Sequence, residues 1–270
     1  MLKYPAVKIT DTEMLYFETH QKPENSQWVL LVHGAGGSTR TWKRQIADIG
    51  AQFNLLIIDL PGHGQNAGRT PLLNTYTFQS VAQQIWQVVD HLRIKSLHMV
   101  GISLGTIICL QMRTIRPQHV TSIILPGAIV KLNTKMKVLA NLSLGLAKII
   151  GYSAFYKMSA TIMLPRPNHK KSRDVFIKEA QVLTTEEFKK WTNMYYNLNK
   201  TLKRLFNASS DIPHLLVMGD QDHLFLRPAQ DFVKRHTNAI LSVVPKCGHV
   251  VSIERAQKFN EICLKFLKQF

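Results

Sequence analysis

The stretch Leu97–Gly105, which reads LHMVGISLG, decides the fold. It begins with a short apolar run that suits a buried strand, and the apolar residues from Leu104 onward suit a helix. Glycines flank Ser103 on both sides and allow a sharp turn in which any Cβ would collide with nearby backbone. A strand, a tight turn and a helix form the context that the G-x-S-x-G pattern needs, because the turn projects the hydroxyl out of the sheet. We therefore predict that Ser103 is a nucleophile. Plain glycine-rich turns show the same five-residue pattern, so this prediction depends on partners elsewhere in the chain.

Strands and helices alternate on both sides of this stretch. Apolar runs at Trp28–Val32, Asn54–Asp59 and Val120–Leu125 predict buried strands. Between them, apolar residues recur every three or four positions over Thr77–Leu92, which predicts a helix that covers the sheet. Helices between successive strands imply right-handed crossovers and a mostly parallel sheet with helices on both faces. The fold class is therefore α/β.

The strand rhythm stops after Pro126 and returns only at His214–Met218 and Ala239–Val244, before a final helix from about Ile253 to Phe270. Helical, Lys-rich segments fill the space between. We predict that residues 127–207 are a helical insertion and that residues 1–126 and 208–270 form one sheet domain. Apolar residues between Val138 and Ile150 are candidates either for a pocket wall or for packing of the insertion onto the sheet domain.

The predicted nucleophile needs a base, because a serine hydroxyl is a poor nucleophile until its proton is removed. His249 follows the last predicted strand, and Asp222 follows the strand before it, so both lie at the same sheet edge as Ser103. Asp220 stays open as an alternative orienting acid, and Cys247 as an alternative nucleophile. We expect His63 to have a structural role in its loop, and we favour this over a catalytic role.

With these residues in place, the chain resembles the α/β-hydrolase superfamily over essentially its whole length. Four segments carry the resemblance: His33–Gly37, Asp59–Gly64, Gly101–Gly105, and Gly248-His249 with Glu254 shortly downstream. The order of nucleophile, acid and histidine along the chain is also the one expected for this fold. The resemblance implies that residues 127–207 form a cap over the active site. It also implies an oxyanion hole built from the backbone N–H groups of Ala35 and Leu104.

This resemblance implies acyl transfer through Ser103, with His249 as base and Asp222 as its orienting carboxylate. Carboxylesterase activity on a small, apolar, ester-like substrate is the favoured expectation. Lactonase, thioesterase and carbon–carbon bond hydrolase activities use the same residues and stay open. A low-turnover ligand receptor or stress-signalling partner on the same fold is an alternative of another class. No metal and no organic cofactor is implied.

Composition describes a globular protein, since 45% of the 270 residues are hydrophobic and 19% are charged. The first fifteen residues lack the apolar core of a secretory signal, and no apolar run is long enough to span a membrane, so we expect a cytoplasmic protein.

The net charge is +17, and residues 131–206 carry twelve Lys and three Arg against four acidic residues. We interpret this as a solvated Lys-rich face, in preference to contact with an anionic membrane surface or reception of an anionic substrate. No nucleic-acid-binding motif accompanies the charge, and the sequence does not determine the oligomeric state.

Overall fold

A computed structural model describes residues 7–9, 14–22, 27–70, 73–132, 137, 151–208 and 210–270. The apolar residues of the insertion that lie between 138 and 150 fall outside the described residues, so their predicted roles stay predictions.

One mixed sheet forms the centre of the described structure. Its strands are β1 (Val7–Ile9), β2 (Phe17–His20), β3 (Trp28–Val32), β4 (Asn54–Ile58), β5 (Leu97–Gly101), β6 (Val120–Pro126), β7 (His214–Gly219) and β8 (Ala239–Val244). They lie in the order β1-β2-β4-β3-β5-β6-β7-β8. Strands β3 to β8 pair in parallel, and β1 and β2 are antiparallel additions beside β4. The mostly parallel sheet is therefore confirmed. The sequence did not predict β1 and β2, because they are only three and four residues long.

Helices precede, follow and connect these strands. Those whose bounds the structure describes are α1 (Ile46–Ile49), α2 (Phe78–His91), α3 (Leu104–Ile115), α4 (Tyr152–Met163), α5 (Lys170–Ala180), α6 (Thr185–Asn193), α7 (Leu198–Asn207), α8 (Leu226–Val233), α9 (Val251–Glu254) and α10 (Ala256–Leu267). The predicted single C-terminal helix is two helices, α9 and α10. Arg255 separates them with φ −132° and ψ 49°, and its guanidinium donates to the Lys246 carbonyl.

Both faces of the sheet are buried, which explains why its strands read as continuous apolar runs. On β3, Leu30 and Val32 join the core under α2 and α3, whereas Val29 and Leu31 join the core under α10. Successive side chains of a strand point to opposite faces, so an uninterrupted apolar run serves two cores at once.

Between β6 and β7 the described residues form the helices α4 to α7 and no strand. These helices contact the loops at the carboxyl ends of the parallel strands. The Trp191 indole N–H donates to the Pro61 carbonyl at 3.0 Å, and the Tyr76 hydroxyl donates to the Glu187 carboxylate. None of the helices in the described part of the chain has the length and apolar character of a membrane span.

Candidate active site

Ser103 occupies a strained turn between β5 and α3. Its φ is 54° and its ψ is −114°, a backbone conformation that a non-glycine residue rarely adopts. The turn is tight enough that a Cβ on Gly101 would lie 2.2 Å from the Gly105 carbonyl oxygen, and a Cβ on Gly105 would lie 2.4 Å from the Val32 carbonyl oxygen. The Ser103 N–H donates to the Pro126 carbonyl at 3.1 Å, which fixes the turn against β6. The sequence pattern is thus a steric requirement of this turn.

Three predicted residues form one hydrogen-bonded chain across the carboxyl ends of β5, β7 and β8. The Ser103 Oγ lies 3.0 Å from His249 Nε2, and His249 Nδ1 lies 2.8 Å from Asp222 Oδ2. With a neutral imidazole, Nδ1–H donates to the carboxylate and Nε2 accepts from the serine hydroxyl. Ser103 is half-buried, whereas Asp222 and His249 are buried.

Asp222 is held in its ionised form. Burial by itself raises the pKa of this carboxyl, but the electrostatic attraction and hydrogen bond of His249, together with two backbone hydrogen bonds, outweigh the burial, and the resulting pKa lies below the ordinary value. The backbone N–H groups of Phe225 and Leu224 also donate to Asp222 Oδ1, at 3.0 Å and 3.3 Å. A carboxylate that remains ionised and fixed keeps the imidazole in one orientation.

The alternatives for acid and nucleophile lie apart from this chain. Asp220 accepts the backbone N–H of Cys247 at 3.1 Å and makes no hydrogen bond to His249. Cys247 is fully buried, and burial raises the pKa of its thiol. The structure therefore brings Asp222 and Ser103, and not Asp220 and Cys247, to the histidine.

Glu254 holds the backbone on both sides of His249. Its carboxylate accepts the N–H of Gly248 at 2.7 Å and the N–H of Val250 at 3.3 Å. The Ser172 hydroxyl of α5 donates to the same carboxylate at 3.2 Å. The Glu254 side chain therefore connects helix α5 to the loop that carries His249. This contact joins residues 82 positions apart, and the sequence contained no signal for it beyond the downstream glutamate.

Two buried histidines brace the glycine-rich loop that follows β3. The Nε2 atom of His63 accepts the Gly36 N–H at 3.0 Å, and the Nε2 atom of His33 accepts the Leu60 N–H at 2.9 Å. Each Nδ1 lies within hydrogen-bond distance of a backbone carbonyl, so each ring is a neutral imidazole with one donor and one acceptor. Burial lowers the pKa of His33 to about 3 and that of His63 to about 4. Both histidines act here as structural supports.

Two residues that line the same cavity as Ser103, Ala35 and Leu104, have backbone N–H groups without a partner among the described residues. Ala35 follows the braced part of the loop, and Leu104 is the first residue of α3, where helical N–H groups have no intrahelical acceptor. The amino end of a helix also favours negative charge. The two N–H groups are therefore available to an anionic oxygen near Ser103.

The cavity above Ser103 has two compartments that share Ala35, Ser103, Met163 and Phe176. The wide compartment encloses about 1230 Å³, counted out to the solvent at its mouth. Its remaining wall is mostly apolar and consists of His63, Leu104, Ile129, Leu132, Phe155, Tyr156, Ser159, Ile162, Phe188, Trp191, Thr192, Tyr195, Leu198, Leu224 and Phe225.

The narrow compartment lies on the His249 side of Ser103 and encloses about 450 Å³, counted in the same way. Its remaining wall consists of Gly34, Gly37, Thr41, Ile102, Ser172, Val175, Glu179, His249, Val250 and Ile253. In the part of the chain that the structure describes, no group of three or more His, Cys, Asp or Glu side chains is arranged to hold a metal ion.

Known proteins with similar sequences or structures include hydrolases of the same fold. The family profile of the α/β hydrolase fold matches residues 27–152, a range that holds Ala35 and Ser103 but not Asp222 or His249. The putative carbamate hydrolase RutD of Yersinia enterocolitica is 25% identical over 260 residues, which cover 94% of this chain and 92% of that protein. The 3-oxoadipate enol-lactonase 1 of Acinetobacter baylyi is 24% identical over 250 residues, which cover 91% and 90%.

Among solved structures, one reported in a study of carboxylesterases from the ammonia-oxidizing thaumarchaeon Nitrososphaera gargenis superposes with a TM-score of 0.74 at 21% identity, over 98% of both chains. The parallel sheet, the serine turn between β5 and α3, and these similarities together lead to one assignment. Residues 27–152 match the α/β hydrolase fold family, the chain has the α/β-hydrolase fold, and it is a hydrolase.

Proposed function

We propose that this hydrolase cleaves ester-type bonds of small, apolar substrates through an acyl-enzyme on Ser103. One observation carries the proposal: the hydrogen-bonded chain of Ser103, His249 and Asp222 opens into the cavity that Ala35 and Leu104 line, and the N–H groups of those two residues have no partner among the described residues. A nucleophile, a base, an orienting carboxylate and an oxyanion site are the parts that acyl transfer requires.

In the proposed reaction, Ser103 Oγ attacks the substrate carbonyl carbon while His249 Nε2 takes the hydroxyl proton. The ionised Asp222 stabilises the resulting imidazolium. The Ala35 and Leu104 N–H groups donate to the oxyanion, and removal of one such donor in a comparable site lowers kcat by about 10²- to 10³-fold. The imidazolium then gives its proton to the leaving oxygen, the acyl–oxygen bond breaks, and water releases the acyl group by the same steps.

The geometry of proton transfer supports one orientation of the substrate. Because His249 must protonate the leaving group, that group has to lie within reach of Nε2, and His249 lines the narrow compartment. The acyl group then occupies the wide compartment, whose aromatic and aliphatic wall suits an apolar chain.

The alternatives differ in the bond that is cleaved. The enol-lactonase relative supports a lactone, and the carbamate hydrolase relative supports a carbamate, as second candidates. Thioesterase and carbon–carbon bond hydrolase activities use the same three residues. An activity screen across esters, lactones, carbamates, thioesters and diketones separates these candidates by their kcat/KM values.

The test is hydrolysis of p-nitrophenyl butyrate by the wild type and by Ser103→Ala. We expect sustained turnover by the wild type and a fall in kcat of about 10⁴-fold or more in the variant, since the nucleophile of such a triad is indispensable. Ser153→Ala changes an exposed serine of α4 and should keep wild-type activity. Full activity of Ser103→Ala would contradict the assignment of the nucleophile. A single slow burst by the wild type would favour the receptor alternative.

The proposal includes three further predictions from the sequence. Residues 127–207 act as a cap on the sheet domain, catalysis needs no cofactor, and the protein works in the cytoplasm on a small-molecule substrate. Contact with nucleic acid or with a membrane surface has no part in the proposed reaction.

A further inference from the structure

Glu179 introduces a charge into an otherwise uncharged cavity. Among the described wall residues of both compartments it is the one Asp, Glu, Lys or Arg side chain, and it lies in the narrow compartment. The chain as a whole has 34 basic and 17 acidic residues, so a charged residue at a random position is more often basic than acidic. The single charged residue of the described cavity wall is nevertheless acidic.

The Glu179 carboxylate has no cationic partner in the part of the chain that the structure describes. Its Oε2 accepts the hydroxyl of Ser38 at 2.5 Å, and no Lys or Arg of the described residues forms an ion pair with it. Ser38 is buried and caps the short 3-10 helix Thr39–Trp42, so this bond fixes the carboxylate against a rigid part of the loop after β3. A fixed, unpaired carboxylate in a partly enclosed wall attracts a cation more strongly than one in bulk water does.

The other walls of the narrow compartment suit an alkylated cation. Phe176 presents an aromatic ring, and Met163 and Val175 present apolar side chains to the same space. An aromatic face and a carboxylate together are a common environment for quaternary ammonium groups, since the ring attracts the cation and the apolar walls accept its methyl groups.

In the proposed orientation of the substrate, the leaving group lies in the narrow compartment and therefore contacts these residues. We propose that Glu179 forms a cation subsite in the narrow compartment, so that the preferred substrates are esters of small amino or ammonium alcohols with apolar acids. This inference rests on the proposed function, because the leaving group enters the narrow compartment only if His249 protonates it.

The experiment compares two substrates of almost equal shape. Butyrylcholine and 3,3-dimethylbutyl butyrate differ in that a neutral carbon replaces the cationic nitrogen of the leaving group, and acid release in a pH-stat reports on both. We expect the wild type to hydrolyse the choline ester with at least about a tenfold higher kcat/KM. In Glu179→Gln the ratio of the two kcat/KM values should fall to about one, because an amide can still accept the Ser38 hydroxyl but has no charge.

A matched control removes a charge elsewhere. Glu186→Gln gives the same change in net charge at a side chain that is 76% exposed, and the substrate ratio should keep its wild-type value. A second measurement needs no variant: choline should inhibit the wild type competitively, and 3,3-dimethylbutanol should inhibit at least about tenfold more weakly.

The outcomes separate the two proposals. Turnover of both esters by the wild type with equal kcat/KM would overturn the cation subsite and leave the serine hydrolase intact. An unchanged ratio in Glu179→Gln would also overturn it and leave Glu179 as a support for Ser38. If the wild type hydrolyses p-nitrophenyl butyrate but neither of these two esters, the cation subsite fails and the serine hydrolase stands. If Ser103→Ala hydrolyses them as well as the wild type does, the proposed function fails and the subsite fails with it.

Discussion

Lowering the pH from 7 to 5 should destabilise this protein through four buried histidines. His33, His63, His98 and His214 are at most 3% exposed. Burial lowers the pKa of His33 to about 3 and the pKa of each of the other three to about 4. Protonation would also remove the acceptor that three of them provide: His63 to the Gly36 N–H, His33 to the Leu60 N–H, and His214, whose Nε2 lies 2.9 Å from the Arg113 guanidinium.

The size of the effect follows from proton linkage. An unfolded histidine titrates with a pKa of about 6.5, so at pH 5 the unfolded chain binds protons that the folded chain does not. Each of the four histidines then costs about 2 kcal/mol, or about 8 kcal/mol together. Because the folded pKa values are lowered, this stability is fully present above about pH 6.5 and is lost as the pH falls towards 4.

Asp59 acts in the opposite direction. Burial raises the pKa of this carboxyl to about 6, so its ionisation destabilises the fold as the pH rises from about 4 to 6. Acidification to pH 5 therefore recovers about 1 kcal/mol. The net loss is roughly 7 kcal/mol, which is comparable to the whole stability of a typical domain.

Urea unfolding between pH 5 and 7.5 measures this loss. Near pH 5 the free energy of unfolding should change by about 4 kcal/mol per pH unit, which corresponds to a net uptake of about three protons. In His98→Asn the slope should fall by about 1.4 kcal/mol per pH unit, because one buried titrating group is gone. His223→Asn, at an exposed histidine, should leave the slope unchanged. A loss of less than about 1 kcal/mol between pH 7 and 5, or equal slopes for His98→Asn and the wild type, would refute the reasoning.

Two further predictions concern the site. In Glu254→Gln the amide NH2 replaces one carboxylate oxygen, so either the Gly248 or the Val250 N–H loses its acceptor and His249 should be disturbed. We expect kcat for p-nitrophenyl butyrate to fall about tenfold with little change in KM, whereas an unchanged kcat would show that the loop holds the histidine without Glu254. Lengthening the acyl chain of p-nitrophenyl esters from acetyl to hexanoyl should raise kcat/KM about fourfold per methylene, because each buried methylene contributes about 0.8 kcal/mol. Ile162→Asn places an amide in the wall of the wide compartment and should reduce this increment, whereas a flat chain-length series would mean that the acyl group does not lie there.

Local sequence determined the parts of the molecule that depend on neighbouring residues. Strand β8 begins and ends where its apolar run predicts, and α3 begins at Leu104, where the sequence predicts a helix. Ser103, Asp222 and His249 each follow a strand that the sequence identifies, and the carboxyl ends of parallel strands meet at one sheet edge. Their proximity could therefore be predicted before any distance was known.

The tertiary structure decided what depends on side-chain direction and on packing between distant segments. Asp220 and Asp222 are two residues apart, and only the turn after β7 determines which carboxylate meets His249. The contact between Glu179 and Ser38 joins residues 141 positions apart, and the two compartments exist only where the helices between β6 and β7 lie over the sheet edge. Periodicity and turn residues report on a few neighbouring positions, whereas these contacts arise from how whole helices pack, and that information is spread over the entire chain.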